Sequence, residues 1–586
     1  MDMHLFYTGE SFDSYEWLGA HIKNKATTFR TFAPNADRVS LILENKEIPM
    51  KKVANGQFYE ITVENCPENT TYEYRIYRWN SYVDHCDPYG YGMELRPNHR
   101  SIVRNLRDYT FKDNKWMSSR KDEKNGPVNI YELHFGSWKK KGEKWYQYNE
   151  LANLLIPYLK EGHYTHVEFM PLSEHPSDES WGYQNTGFFA PTSRYGTATQ
   201  LMELIDKLHQ NGIGVILDFV PTHFALDSYG LGNYDGDALY EYPHADVGVS
   251  EWGSFNFIHS RGEVRSFLQS CAHYWLKEFH FDGLRMDAVR NLIYWQGNEK
   301  RGVNHNAILF LKNMNHGLKK LHPDCMLIAE DSSNYPNVTL PSEKGGLGFD
   351  YKWDMGWMHD TLDYFQLPPW ERPANYHKLT FSMHYYWNES YLLALSHDEV
   401  VHLKKTIINK MYGDYQDKFA QLRAFYLYMI IHPGKKLNFM GNEIAHFREW
   451  DEKRQQDWNL LDYPIHDGFW SYIKQLNKLY LEHPAFYEGD YEKNSFEWLD
   501  CHQEEKCIYA MIRKGKKESL AAIFNFSDKN QTYSLKLPAS KKITLLCHSE
   551  WAHFGGRIKD DGSHIFKNSS MDILLPSYSG ILFSLK

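Results

Sequence analysis

Four short segments carry the side chains on which chemistry would have to rest. Asp218 opens DFVPTH, which continues to Thr222 and His223, and Arg285 and Asp287 stand two apart in GLRMDAV. Glu330 and Asp331 close IAED, and His397, Asp398 and Glu399 follow the apolar run YLLAL. Each acid ends a stretch of aliphatic residues, where a simple core would not place it. One such acid reads as a cap or loop anchor; four in succession read as one constellation. Residues two apart on a strand share a face, so the guanidinium of Arg285 lies beside the carboxylate of Asp287 and favours its charged form. An ionised carboxylate with a fixed partner suits a nucleophile, and Glu330, at the end of an otherwise apolar strand, suits a proton donor. That division of roles between two carboxylates is the logic of glycoside chemistry. Zinc is the competing reading of HDEVVH, but its histidines, His397 and His402, are five apart and would not share a helical face. No metal and no organic cofactor is expected.

Placing these acids requires strands that end together. From about 127 to 485 the sequence alternates apolar strands (VNIYEL, HVEFMPL, GVILDFV, GLRMDAV, MLIAED, YLLALSHD, KKLNFMG) with helical-period segments such as ATQLMELIDKLHQNG, which stops at Asn211-Gly212. Seven strands over this length fit a (β/α)8 TIM barrel, whose active sites lie at the carboxyl ends of the strands. The eighth strand falls somewhere in the aromatic region 348–392, without a pattern that marks it. Before the barrel, TTFRTFA, RVSLILE, QFYEITVE and YEYRIYRW alternate between turn-forming segments, as in a small β-sandwich. After it, CIYAMIRK, SLAAIFNF, ITLLCH and GILFSLK return to the same pattern. Three domains are therefore expected: a β-sandwich at 1–112, the barrel at 113–485 and a second β-sandwich at 486–586, with SSRKDEKNG (Ser118 to Gly126) as a solvated linker.

Composition narrows the partners. The 586 residues carry a net charge of −10, which argues against a general nucleic-acid binder. Aromatic residues make up 16%, enough to pack cores and to stack on sugar faces. The longest apolar run, Ala424 to Ile431, is far shorter than the roughly 20 residues of a membrane span. Seven cysteines without metal or disulfide spacing, and no apolar leader, fit a reduced, cytoplasmic protein.

With these residues in place, the chain resembles the glycogen (1,4-α-glucan) branching enzymes of the α-amylase superfamily. DFVPTH, GLRMDAV, IAED and LSHDEVVH match the superfamily's four ordered regions. The last is the most informative, because amylases usually carry Asn before His-Asp where this chain has Ser396. YELHFGSW (Tyr131 to Trp138), Glu174 to Thr197 and FMGNEIAHFREW (Phe439 to Trp450) are also similar, and FAPNADRV with the DPYG near Asp87 resembles the family's glycogen-binding-type sandwich. The resemblance implies Asp287 as nucleophile, Glu330 as general acid/base and Asp398 as the third carboxylate. It implies that Arg285, His223 and His397 contact the donor sugar, that Asp218 supports that subsite and that Tyr183 stacks on its ring. Donor and acceptor would both be α-1,4-glucan, and the enzyme a monomer or weak oligomer. Three departures stand out: Thr222 and Leu403, where the family often has Gly, and Asp331, where bacterial members often have Glu. An amylase-type hydrolase, another transglycosylase and a silent glycogen-binding protein remain as alternatives.

Overall fold

The computed structural model describes residues 1–586 except 54–55, 561, 563–564 and 567–568. Eight strands form a closed barrel in chain order: β1 (Asn129–Leu133), β2 (His166–Phe169), β3 (Gly214–Phe219), β4 (Gly283–Met286), β5 (Met326–Ala329), β6 (Tyr351–Trp353), β7 (Tyr391–Leu395) and β8 (Lys435–Phe439). Every residue of β1, β3, β4, β7 and β8 is buried, as expected of strands covered on both faces. The unplaced strand is β6. It spans three residues, one of them Lys352, so neither length nor alternation marks it.

The chain divides into two compact bodies. The first comprises Met1–Lys121, His134–Ile156 and Glu168–Asp350. It begins with two antiparallel sheets. One orders Gly19–Lys23, Ala26–Phe32, Phe58–Glu64 and Lys51–Val53; the other orders Lys46–Pro49, Arg38–Leu43, Thr71–Arg78 and Ser81–His85. Phe29, Leu41, Phe58 and Tyr72 are fully buried. In the same body β3, β4 and β5 pair in parallel, with Asp218 opposite Arg285 and Arg285 opposite Ile328. The helix Ala198–Gln210 starts on a capping box, Thr197 with Gln200, and ends at Asn211 where the sequence places its stop.

The second body comprises Asp122–Leu133, Pro157–Val167 and Tyr351–Lys586. It holds β6–β8 and a C-terminal six-stranded sheet (Phe496–Gln503, Ile508–Lys514, Ser519–Asn525, Ser579–Leu585, Ile543–His548, Ile565–Phe566), with Gln531–Lys536 and Ser570–Leu575 paired apart from it. Ile508, Ile523, Leu535, Leu575 and Phe583 form one core across both.

One expectation needs correction, and one aromatic stretch finds its place. The aromatic run Trp353 to Phe365 completes β6 and forms a helix, Met355–Gln366, capped by the Asp354 side chain, with Trp353 and Trp357 buried. The segment Ser118 to Gly126 is not simply a solvated linker. Ser118 and Ser119 end the helix Asn114–Ser119, and the carbonyls of Lys124 and Gly126 accept hydrogen bonds from the buried Lys435 ammonium. The run Ala424 to Ile431 lies within the helix Tyr415–Ile431, and among the described residues no helix is long and apolar enough to cross a membrane.

Candidate active site

In the first body, the register of β3 against β4 sets Asp218 beside Arg285, and the chain continues from β4 directly into Asp287. The Arg285 guanidinium is buried and serves three acids. Its Nη1 donates to Asp218 Oδ1 and Oδ2 at 2.7 and 2.9 Å and to Asp287 Oδ1 at 2.8 Å, while Nη2 lies 3.8 Å from Glu330 Oε2. Burial opposes the Arg285 charge, but Asp218 leads the neighbours that hold its pKa well above the ordinary value. Burial pushes the Asp218 carboxyl up, Arg285 opposes the shift and the Asp287 charge adds to it. Tyr183 Oη donates to Asp218 Oδ2 at 2.6 Å. Its hydroxyl is thereby engaged and its ring orientation fixed.

The two candidate catalytic acids differ in their setting. The Asp287 carboxylate is 14% exposed and Glu330 17%, against 0% for Asp218. The backbone around Asp287 is clamped: its N–H donates to Phe219 O at 3.0 Å, and its carbonyl accepts from Thr222 Oγ1 at 3.0 Å. Thr222 thus adds a fixing contact to the backbone of Asp287. Ala288 follows with φ 49°, a left-handed conformation that an alanine adopts only when its surroundings enforce it. The enforcement comes from Glu330, whose Oε2 accepts from Ala288 N–H at 2.7 Å and whose carbonyl accepts from Val289 N–H at 2.9 Å. Asp287 and Glu330 are therefore positioned through one shared turn.

His223 Nε2 lies 3.9 Å from Asp287 Oδ2. Burial lowers the His223 pKa, against the pull of Asp287, and its ring packs 5.2 Å from Trp252. Asp331 is buried and accepts from Ser333 N–H at 2.9 Å, fixing the loop after β5.

In the second body, His397 and Asp398 follow β7. His397 Nδ1–H donates to Glu132 Oε1 at 2.5 Å and His397 N–H to Glu132 Oε2 at 3.0 Å, so this carboxylate fixes the imidazole and its backbone together. His397 Nε2 is 3.5 Å from Asp398 Oδ1, and Asp398 is 46% exposed. Glu132, which fixes His397, is not among the residues that local sequence patterns single out. The available signal was a charged residue within β1, all of whose positions are buried; its partner is 265 positions away and leaves no local trace.

The structure thus gathers Tyr183, Asp218, His223, Arg285, Asp287 and Glu330 around one guanidinium and one turn, and places His397 with Asp398. Comparison with known proteins agrees with this fold. Residues 1–89 match the family model "alpha-1,4-glucan branching enzyme GlgB, N-terminal domain", residues 151–229 the alpha amylase catalytic domain and residues 498–586 the alpha amylase C-terminal all-beta domain. A 1,4-alpha-glucan branching enzyme GlgB of Bacillus caldolyticus is 43% identical over 573 residues, covering 95% of this chain and 86% of its own. That of Fusobacterium nucleatum is 43% identical over 570 residues, covering 95% and 92%. A putative alpha amylase from Salmonella typhimurium superposes with a TM-score of 0.73 at 19% identity, covering 97% and 100%, which speaks to fold alone.

Proposed function

Because the chain belongs to the 1,4-α-glucan branching enzyme GlgB family, we propose that it cleaves internal α-1,4 bonds of a glucan and joins the released segment to a 6-hydroxyl as an α-1,6 branch. The observation that carries the mechanism is the Arg285 guanidinium shared by Asp218, Asp287 and Glu330. It pairs Asp287 with a fixed guanidinium, as a carboxylate nucleophile requires, beside a second carboxyl placed to serve as acid and base.

In the first half-reaction Glu330 protonates the glycosidic oxygen while Asp287 attacks the anomeric carbon. The chain on the reducing-end side departs as an alcohol, and the remaining segment is bound to Asp287 as an ester. In the second, Glu330 takes the proton of an acceptor 6-hydroxyl, whose oxygen displaces Asp287. Two inversions give net retention. His223 and His397 contact the donor sugar, Tyr183 stacks on it, and Asp218 holds Arg285 and Tyr183 in place. Asp398, 46% exposed beside a tethered histidine, takes the role of the third carboxylate, which stabilises the oxocarbenium-like transition state. We assign the chemistry to the barrel, 113–485, and the flanks 1–112 and 486–586 to separate β domains. Seven free thiols, six of them buried, are consistent with a cytoplasmic setting, and we expect a monomer or weak oligomer.

The deciding experiment incubates the protein with amylose and follows iodine colour and reducing ends together. Branching lowers the colour with flat reducing ends, and a debranching enzyme then releases short chains. Reducing ends that rise as colour falls would instead make water the acceptor. Asp287→Asn and Glu330→Gln should each lower kcat by on the order of 10³-fold or more with an unchanged circular dichroism spectrum. Retention of substantial activity in either would overturn its assigned role.

A further inference from the structure

The loop that follows Asp398 contains a feature the reaction above does not use. Leu403 is 93% exposed and has φ 65°, preceded by His402 at 55° and followed two residues on by Lys405 at 69°. A single exposed leucine is ordinary. An exposed leucine held in a left-handed backbone is not, because the side chain strains the conformation and buries nothing in return.

The surrounding structure enforces this shape from both sides. The Glu449 carboxylate accepts from Leu403 N–H at 3.0 Å and from Lys405 N–H at 2.7 Å, one oxygen to each. Opposite it, the buried Lys410 ammonium donates to the carbonyls of Glu399 at 2.5 Å and Lys405 at 2.6 Å. Glu449 is itself held. Arg448 beside it forks onto both oxygens of Asp457, and the N–H of Trp450 on its other side donates to Val400 O at 3.0 Å. The Trp450 ring stands edge-on to His397, 6.1 Å between centroids. One short segment, Arg448 to Trp450, therefore braces the histidine next to Asp398 and presents Leu403 five residues further along the same loop. In a (β/α)8 barrel, loops at the carboxyl ends of strands form the substrate surface.

We propose that Leu403 is a specificity-determining contact, packing its isobutyl group on the apolar C–H face of a glucan ring outside the reacting subsite, and that Glu449 is the positioning residue that holds it out. The inference rests on the branching reading above. It gives the strained backbone a use: a rigid apolar lip favours bound chains long enough to reach it, and so sets which chain lengths are taken up and transferred. Neither residue touches the reacting atoms, so the chemical step is left alone.

The test compares wild type with Leu403→Gly, Leu403→Ala, Glu449→Gln and the double variant Leu403→Gly/Glu449→Gln. KM and kcat are measured on long amylose, and the branches released by a debranching enzyme are sized. Leu403→Gly and Leu403→Ala should each raise KM about three- to tenfold with kcat within about twofold, and shift the branch-length profile. Glu449→Gln should move KM the same way, and the double variant should add little to Leu403→Gly, since both remove one contact. A Leu403→Gly enzyme with wild-type KM and branch profile overturns the proposal, whatever its melting temperature. So does a Leu403→Ala enzyme that behaves as wild type while Leu403→Gly does not, because the backbone would then be the cause. Wild-type protein that leaves amylose unbranched overturns the functional reading itself; wild type that branches alongside unchanged variants overturns this inference alone.

Discussion

At the scale of single residues, Arg285 shows how much of the candidate site depends on the shape of one side chain. A planar guanidinium can face several carboxylates at fixed angles, which an ammonium cannot. Arg285→Lys should therefore leave Asp218 or Asp287 without its partner in a buried setting and lower kcat/KM by about 100-fold or more, with secondary structure retained. Steady-state kinetics on amylose with a matching circular dichroism spectrum would check this, and a loss smaller than about threefold would show that a point charge suffices. The proximity of Arg285 to Asp287 was legible in the sequence because it depends only on a spacing of two where a strand ends. The Asp218–Arg285 pair was not, because it depends on the register of β3 against β4. Glu132 was invisible for a stronger form of the same reason: its meaning comes from His397, which no local pattern connects to it.

At the scale of elements, helices and long strands were readable where periodicity and caps coincide, as at Thr197 and Asn211. β6 was not, because three residues cannot display a period and the barrel itself defines the strand. What secures the elements is equally non-local. In the last turn of the helix Ala198–Gln210, His209 Nδ1–H donates to Asp113 Oδ2 at 2.8 Å and Nε2–H to Asp282 Oδ2 at 2.9 Å, immediately before β4. Both ring nitrogens face acceptors, so the ring is an imidazolium. Burial alone would lower its pKa, but Asp282 and Asp113 override it and lift it to about 9 from 6.5. Those two acids are held low in turn: burial opposes this, hydrogen bonds from His209 and His280 lower Asp113, and the His209 charge lowers Asp282. Trp116 and Arg120 complete the surroundings. A raised histidine contributes stability that is complete below pH 6.5 and is lost as pH rises through about 9. The lowered acids add stability that is present above pH 3.8 and lost on acidification. His209→Gln should therefore melt below wild type at pH 6, by an amount on the order of 2–3 kcal/mol, and the gap should narrow steadily towards pH 9.5. Thermal melts across that range would show it; a gap independent of pH would mean the imidazole is neutral.

At the scale of the molecule, the succession of β, barrel and β was visible because turn chemistry and strand length change along the chain. How the parts of the second body are tied together was not, and there the decisive residue is Asp490. It is fully buried, as are its partners, with Oδ2 at 3.0 Å from Lys435 Nζ and Oδ1 at 2.8 Å from Arg513 Nη2; Gly434 N–H donates to Oδ1 at 3.1 Å. Lys435 begins β8 and also holds the carbonyls of Lys124 and Gly126, while Arg513 lies on the C-terminal sheet strand Ile508–Lys514. One carboxylate thus joins barrel strand, connecting segment and C-terminal domain. Burial opposes its charge, and Lys435 and Arg513 hold its pKa below the ordinary carboxylate value. Asp490→Asn removes the charge and leaves two buried cations facing each other, a change that typically costs about 3–5 kcal/mol. The expected result is a melting onset lower by several degrees in calorimetry at pH 7, with early proteolytic cleavage of the C-terminal domain. Replacing all three by apolar residues, Asp490→Leu with Lys435→Met and Arg513→Met, should recover much of that loss, because none of the triad's charges is then left unpaired, while the nearby Lys436 keeps the carbonyls of His432 and Gly434. If Asp490→Asn melts with wild type, the C-terminal domain is held by its apolar contacts alone and the buried triad contributes nothing to its attachment.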